Sequence, residues 1–337
     1  MTNVGTTTDL RSVRFRRERE AGWKRLEALV AQVERKGMRH LSFDEARELT
    51  STYRQTINSL SVAREISLDH ALLTYLENLA ARAYLVIYAP QASIGSLITK
   101  LLVSGIPHAF RRSVPVLTIG FGLMIIGALI GFALVSGDST WFYTFVPGEL
   151  AGDRGPGASR AALETSLFGQ DTLHQNALAA FAAYLISHNT QVAILCFALG
   201  VFWTLPTAFL TFYNGTILGA FVAVFAEKGL GYEVFGWLSI HGVTEISAIC
   251  VAAAGGAQLG LAMLLPGEMT RKDALRVRGR DATKLLILAA IMLFAAGILE
   301  GFLRQLVQST ELRLLIGWGA GALWLCWLLF SGRGAKG

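Results

Sequence analysis

Along residues 237–265 the chain reads WLSIHGVTEISAICVAAAGGAQLGLAMLL, a stretch long and apolar enough to cross a bilayer. Two ionisable side chains interrupt it, His241 and Glu245, four residues apart and so on one face of a helix. A carboxylate aimed at acyl chains is costly, so that face has to look into protein or a watered cavity. Small residues recur along the same helix (Gly242, Ala248, Ala252, Gly255, Gly256 and Gly260), and they let neighbouring backbones come close. Further apolar stretches flank it, and the pattern predicts about six spans, at 114–135, 190–212, 215–228, 237–265, 285–303 and 314–330. The first carries Gly127-x-x-x-Gly131, a close-packing spacing that is weak evidence alone. Pro206 predicts a kink in the second. The third is short: at ~1.5 Å per residue its apolar part, 215–226, covers roughly 18 Å of a ~30 Å hydrocarbon layer. Tyr213-Asn214-Gly215 is therefore read as a turn below the membrane surface, the alternative being an ordinary interfacial Asn-Gly turn flanked by aromatics.

Ahead of the spans the apolar positions thin out to single stripes between charges. In 15–35, Trp23, Leu26, Leu29, Val30 and Val33 fall three and four residues apart, which predicts an amphipathic helix after a frayed tail ending near Asp9. Ser42-Phe43-Asp44-Glu45 has the form of a capping box and opens a second helix, to about Arg64, with Ala46, Leu49, Tyr53, Ile57 and Leu60 on one side. A third, 68–88, aligns Leu72, Leu76, Leu79, Ala83 and Ile87. Residues 1–89 thus form a small helical bundle, a solvated scaffold unit or a docking platform for a cytoplasmic partner. Pro90 ends it, and 90–113, interrupted by Lys100 and Pro107, suits a helix lying in the membrane interface. The connection after the first span holds interfacial Trp141, Phe142 and Tyr143, a Gly/Pro/Ser loop at 148–159 and a short surface helix at 173–186. Residues 266–284 read as a basic loop.

Composition agrees with this division. The chain is 53% hydrophobic and 16% charged, and the charges crowd into the first third. Its net charge of +6 sorts by side, which reflects membrane topology and not a nucleic-acid surface. Seventeen Lys and Arg precede Val114, six lie in 266–284 and two in the tail; the alternate connections hold two, one and two. Both ends are therefore expected in the cytoplasm. Cys196, Cys250 and Cys326 sit in apolar stretches without paired spacing and read as small buried hydrophobes.

The candidate chemistry is the polar set at membrane depth. His241 and Glu245 lie roughly 6 and 12 Å below the interface by helical rise. Glu300 falls at comparable depth near the end of the fifth span, Thr244 stands beside the pair, and Asn214 approaches from the inner side. Three readings follow. The groups glue helices together, with Glu300 held by backbone or by Arg304. Alternatively they mark a path for a proton, an ion or a small solute. Or His241, Glu245 and Glu300 supply three ligands of a metal-dependent intramembrane hydrolase, although HExxH is absent. No GxSxG serine motif and no phosphate-binding glycine loop occurs, and no cofactor is implied.

Four segments carry a resemblance: HNTQVAILCFALG (188–200), FYNGTILGAF (212–221), HGVTEISAICVAAAGGAQLG (241–260) and ILEGF (298–302). They resemble the stage II sporulation protein M family of bacterial membrane proteins, and Trp23-x-x-Leu26 with Tyr53-Arg54 is similar to its longer form. The resemblance implies paired asparagines where this chain has His188-Asn189, which adds Asn189 to the polar set, and an aspartate where it has Asn58. It also implies an all-α polytopic fold in a bacterial inner membrane and a non-enzymatic scaffold in a cell-envelope complex. Envelope hydrolases or a MoxR-type ATPase are the partners it suggests. The Gly-rich helices and the lipid around them add the expectation of a homodimer.

Overall fold

The computed structural model describes residues 4–65, 70–88, 94–169, 172–303 and 306–334. Most of them are helical, and no strand occurs among them. The chain separates into two compact units, 1–97 and 98–337.

The first unit is built on α1 (Val4–Lys36), α2 (Phe43–Glu65) and α3 (His70–Tyr88). The capping box is formed: the Ser42 amide donates to Glu45 Oε2 at 2.8 Å, and the Glu45 amide to Ser42 Oγ at 3.2 Å. Hydrogen bonds to the Glu45 carboxyl, first from the Ser42 amide and then from the Ser42 and Gln32 side chains, hold it below its ordinary range. Trp23, Leu26, Leu29, Val30 and Val33 of α1 are buried against Leu49 and Leu60 of α2 and Leu76, Leu79 and Ala83 of α3. The apolar stripes read from spacing are thus the seam. Arg25 with Glu48 and Arg82 with Glu34 close the edges as two-pronged pairs. One expectation is corrected: Val4 to Asp9 belong to α1 instead of fraying, because an established helix extends more readily than it starts. Pro90 lies outside the described residues.

In the second unit α4 (Ile94–Lys100) runs through a π turn (Leu101–Gly105) into α5 (Ile106–Arg112), and α6 (Val114–Gly137) follows. Three short helices come next: α7 (Trp141–Phe145), α8 (Gly148–Ala151) and α9 (Arg160–Phe168). Long helices complete the fold: α10 (Thr172–Ala198), α11 (Leu205–Glu227), α12 (Gly231–Leu264), α13 (Arg271–Ile298) and α14 (Thr310–Phe330). Among the described residues five helices are long and apolar enough to cross a membrane: α6, α11, α12, α13 extended to Gly301, and α14. The shorter apolar stretch Ile186–Val201 covers the second half of α10. The protein is an all-α, multi-pass membrane protein.

The expected spans 190–212 and 215–228 are redrawn. The chain breaks at 199–204, where a 3₁₀ turn leads to Trp203 and Thr204 in the left-handed region (φ 58° and 65°), and Pro206 starts α11 in its first turn. The turn expected at Tyr213-Asn214-Gly215 does not exist. Asn214 Nδ2 donates to the Leu210 carbonyl one turn back at 2.8 Å, inside an unbroken α11. Gly215 serves a close approach instead. A Cβ there would run into the Met124 carbonyl of α6, and one at Gly219 into that of Ala128. Gly127 and Gly131 reciprocate against Phe212 and Thr216. Two small-residue ridges interlock within one chain. The expected surface helix 173–186 is likewise the upper half of α10, and most of the basic loop is the first turns of α13, capped by Thr270.

At the end opposite α7–α9, Arg111 Nη1 donates to the Leu328 and Ser331 carbonyls at 2.8 and 2.9 Å, which closes the C-terminus of α14. The core lies along α12. Its residues from Ala248 to Ala254 are buried against Leu285, Leu288, Ala289 and Met292 of α13 and against Cys196 of α10.

Candidate functional site: a polar chamber beside the central helix

Glycine again fixes the geometry. Gly256 of α12 sits against the Cys196 carbonyl of α10, and Thr207 Oγ1 of α11 donates to that same carbonyl at 2.7 Å. Cys196, Thr207 and Gly256 therefore lie at one level of the bundle. Counting from there toward α7–α9 at ~1.5 Å per residue places His188, Asn189, Asn214 and Glu245 roughly 10–16 Å further up, with His241 one turn beyond Glu245. Three helices thus bring imidazole, amide and carboxylate groups to nearly one height.

There they line a cavity of about 120 Å³ between α10, α11 and α12. Its polar side chains are His188 and Asn189 from α10, Asn214 from α11, and His241 and Glu245 from α12. Phe221 and Phe225 of α11 and Trp237, Leu238 and Ile246 of α12 make the apolar wall. Glu245 is 6% exposed and His241 2%, whereas His188, Asn189 and Asn214 are half-buried. His188 stacks on Tyr184, and neither it nor Asn189 has a side-chain hydrogen bond among the described residues. Asn214 leans its amide nitrogen on Leu210, which leaves its oxygen to offer. An amide oxygen, an amide and an imidazole are open to a guest.

The segment 138–169 covers one end of the cavity, which Leu150, Arg154, Ser166 and Leu167 complete. This roof is fastened at several points. Tyr213 Oη donates to the Phe145 carbonyl at 2.9 Å, Arg160 Nη1 to the Lys228 carbonyl at 2.6 Å, and Arg313 Nη2 to the Leu167 carbonyl at 3.2 Å. Phe142 meets Phe221 edge-on, and Arg313 also lies over the Phe168 ring. Asp138, which starts the segment, accepts from the Thr140 amide and hydroxyl, and these bonds hold its carboxyl below the ordinary range.

Of the residues singled out from the sequence, His241, Glu245, Asn214 and Asn189 meet at the cavity, while Thr244 and Glu300 do not line it. Thr244 is buried elsewhere on α12, and Glu300 is buried on a π turn (Leu299–Leu303) that continues α13. The proposed metal triad His241, Glu245 and Glu300 is not assembled: no group of three His, Cys, Asp or Glu placed to hold a metal occurs among the described residues. Arg304 lies outside them. Arg154 and Ser166 escape a sequence reading because the 138–169 segment has no long periodic stretch to aim a side chain.

The model of the family described as stage II sporulation protein M matches residues 120–304, more than half of the chain. The chain belongs to the stage II sporulation protein M family. That match spans α10, α11 and α12 and every residue of the chamber. A domain family of unknown function, DUF8413, matches residues 13–89, the helical unit. No curated protein and no solved structure matches the chain.

Proposed function

We propose that this stage II sporulation protein M family member is a non-enzymatic membrane component that takes a small polar solute into the chamber beside α12. One observation carries the reading: His188 and Asn189 of α10, Asn214 of α11 and Glu245 of α12 line one shared cavity. Groups that only glued helices together would leave no space between them. Polar groups at bilayer depth commonly mark solute routes, and a half-watered cavity lowers the cost of keeping them there. With both termini in the cytoplasm, as the Lys/Arg distribution supports, the chamber lies in the outer half of the inner membrane.

A second reading concerns assembly. The 13–89 unit is a separate helical body with a charged exterior, and it suits the role of a docking platform in a cell-envelope complex. Family resemblance makes envelope hydrolases or a MoxR-type ATPase the candidates. A homodimer would need a face other than Gly127-x-x-x-Gly131, which α11 already fills.

The chamber is tested by thiol accessibility in a background with Cys196→Ala, Cys250→Ala and Cys326→Ser. Leu218→Cys, on the chamber wall, is expected to react with a small charged methanethiosulfonate in nanodiscs, and Ala252→Cys, fully buried on α12, to stay inert. A dry Leu218→Cys would refute the proposal.

A further inference from the structure

The helical unit has a hollow of its own, and its chemistry differs from that of the chamber. A cleft of about 680 Å³ runs between α1 and α2, where the chamber holds about 120 Å³. Arg19 and Gly22 of α1 form one side, and Gln55, Asn58 and Ser59 of α2 form the other, each set spaced to share a helix face. Gly22 keeps the space open: the nearest atom to a Cβ built there is Gln55 Oε1, at 3.8 Å. Arg19 is half-buried in the wall. Its guanidinium lies over the Phe15 ring, 4.9 Å from the centroid, and its Nη1 donates to Ser59 Oγ at 3.2 Å. These contacts aim the planar group and leave its charge unneutralised.

The carboxylates next to it are engaged elsewhere. Glu18, at the exposed rim of the cleft, pairs with Arg14, and Glu20 pairs with Arg16 and Lys24. Among the described residues no carboxylate pairs with Arg19, so a guanidinium already held in place keeps most of its five donors for an incoming oxyanion. Gln55 and Asn58 add exposed amides whose side chains make no hydrogen bond among the described residues. Each amide offers a donor and an acceptor side by side, which matches the N–H and C=O of an extended backbone. Around the cleft α1 is basic, with six Lys and Arg against two Glu in residues 14–25, and that excess favours an acidic partner.

We propose, resting on the docking reading of this unit, that the cleft between α1 and α2 receives an acidic segment of a partner protein. One Asp or Glu side chain of that segment pairs with Arg19, and the backbone beside it bonds to Gln55 and Asn58.

The full chain in nanodiscs of neutral lipid is titrated into a fluorescein-labelled Gly-Ser peptide carrying Asp and Glu, and into its twin carrying Asn and Gln, with anisotropy as the readout. The acidic peptide is expected to bind at least ~5-fold tighter than its twin. Arg19→Gln should remove that difference. So should Asn58→Asp, which places a competing carboxylate at the cleft, and Gly22→Leu, which fills the cleft and alters no charge. Arg17→Gln, at an exposed position outside the cleft, should leave it unchanged. None of the four positions is fully buried, and circular dichroism checks that the helices persist. Equal binding of the two peptides overturns the proposal. A loss with Arg17→Gln as large as with Arg19→Gln overturns it in favour of a diffuse basic surface. Displacement of the peptide by inorganic phosphate at equal concentration overturns it in favour of a phosphate ligand. A second arm separates the cleft from docking itself: p-benzoylphenylalanine replaces Ser61, at the cleft, or Ala28, exposed outside it, and is photolysed in native membranes. Protein adducts from the Ser61 position that vanish with Arg19→Gln are the expected result. Adducts from the Ala28 position alone overturn the cleft while the docking platform stands, and adducts from neither position overturn both.

Discussion

Tyr75 shows how a single side chain reports on packing in the helical unit. It is partly buried between helices, and its hydroxyl donates to Glu27 Oε2 at 3.1 Å. Burial first, and then the neighbouring Glu27 carboxylate, push its pKa from 10.0 to about 12. The raised value means that the folded state holds the proton more tightly. This stabilisation is complete below the unfolded value and is lost as pH climbs through about 12. An absorbance titration is expected to show one phenol ionising late, and Tyr75→Phe to remove that phase. Glu34 and Glu48 work at the acid limb with the opposite sign. Their arginine partners, Arg82 and Arg25, hold the carboxyls low. Their contribution is present above the unfolded value of ~4.3 and disappears as pH falls through the folded values. Both pairs are exposed, so the effect is small.

At the scale of elements, glycines govern how closely helices approach. Gly127 of α6 and Gly215 of α11 face carbonyls with no space for a side chain, whereas Gly122 has nothing near it. Gly127→Leu or Gly215→Leu is therefore expected to cost at least about 3 kcal/mol, read as a lowered unfolding midpoint in detergent. Gly122→Leu should be close to neutral. The same glycines explain what the sequence made legible. Apolar stripes in 15–88 and the capping box at Ser42 declared themselves, because local bonds and one-sided burial leave a pattern in the chain. Gly127-x-x-x-Gly131 was visible too, but its partner was not. Asn214-Gly215 carries a strong turn signal, and the competing cause, a carbonyl of another helix pressed on Gly215, is a tertiary fact. The break at 199–204 was masked for a related reason: apolar residues run through it, so hydropathy alone places a span where the backbone reverses. Pro206 was the available clue, as the first turn of a new helix.

For the whole molecule, the account depends on three separate helices presenting polar groups at one height. His241 and Glu245 announced themselves by their cost in an apolar stretch. That Asn189, Asn214 and the roof residue Arg154 join them follows from how α10, α11 and α12 are stacked, which no single stretch encodes. The most direct test is a crosslink across the chamber. In the cysteine-free background, Asn189→Cys and Asn214→Cys are joined with a short bifunctional methanethiosulfonate, and the product is identified by peptide mass spectrometry. An intramolecular link between the two positions is the predicted result, with none when Asn214→Cys is replaced by Phe209→Cys on the exposed face of α11. Equal or better linkage from Phe209→Cys, or no link from Asn214→Cys, would contradict the chamber.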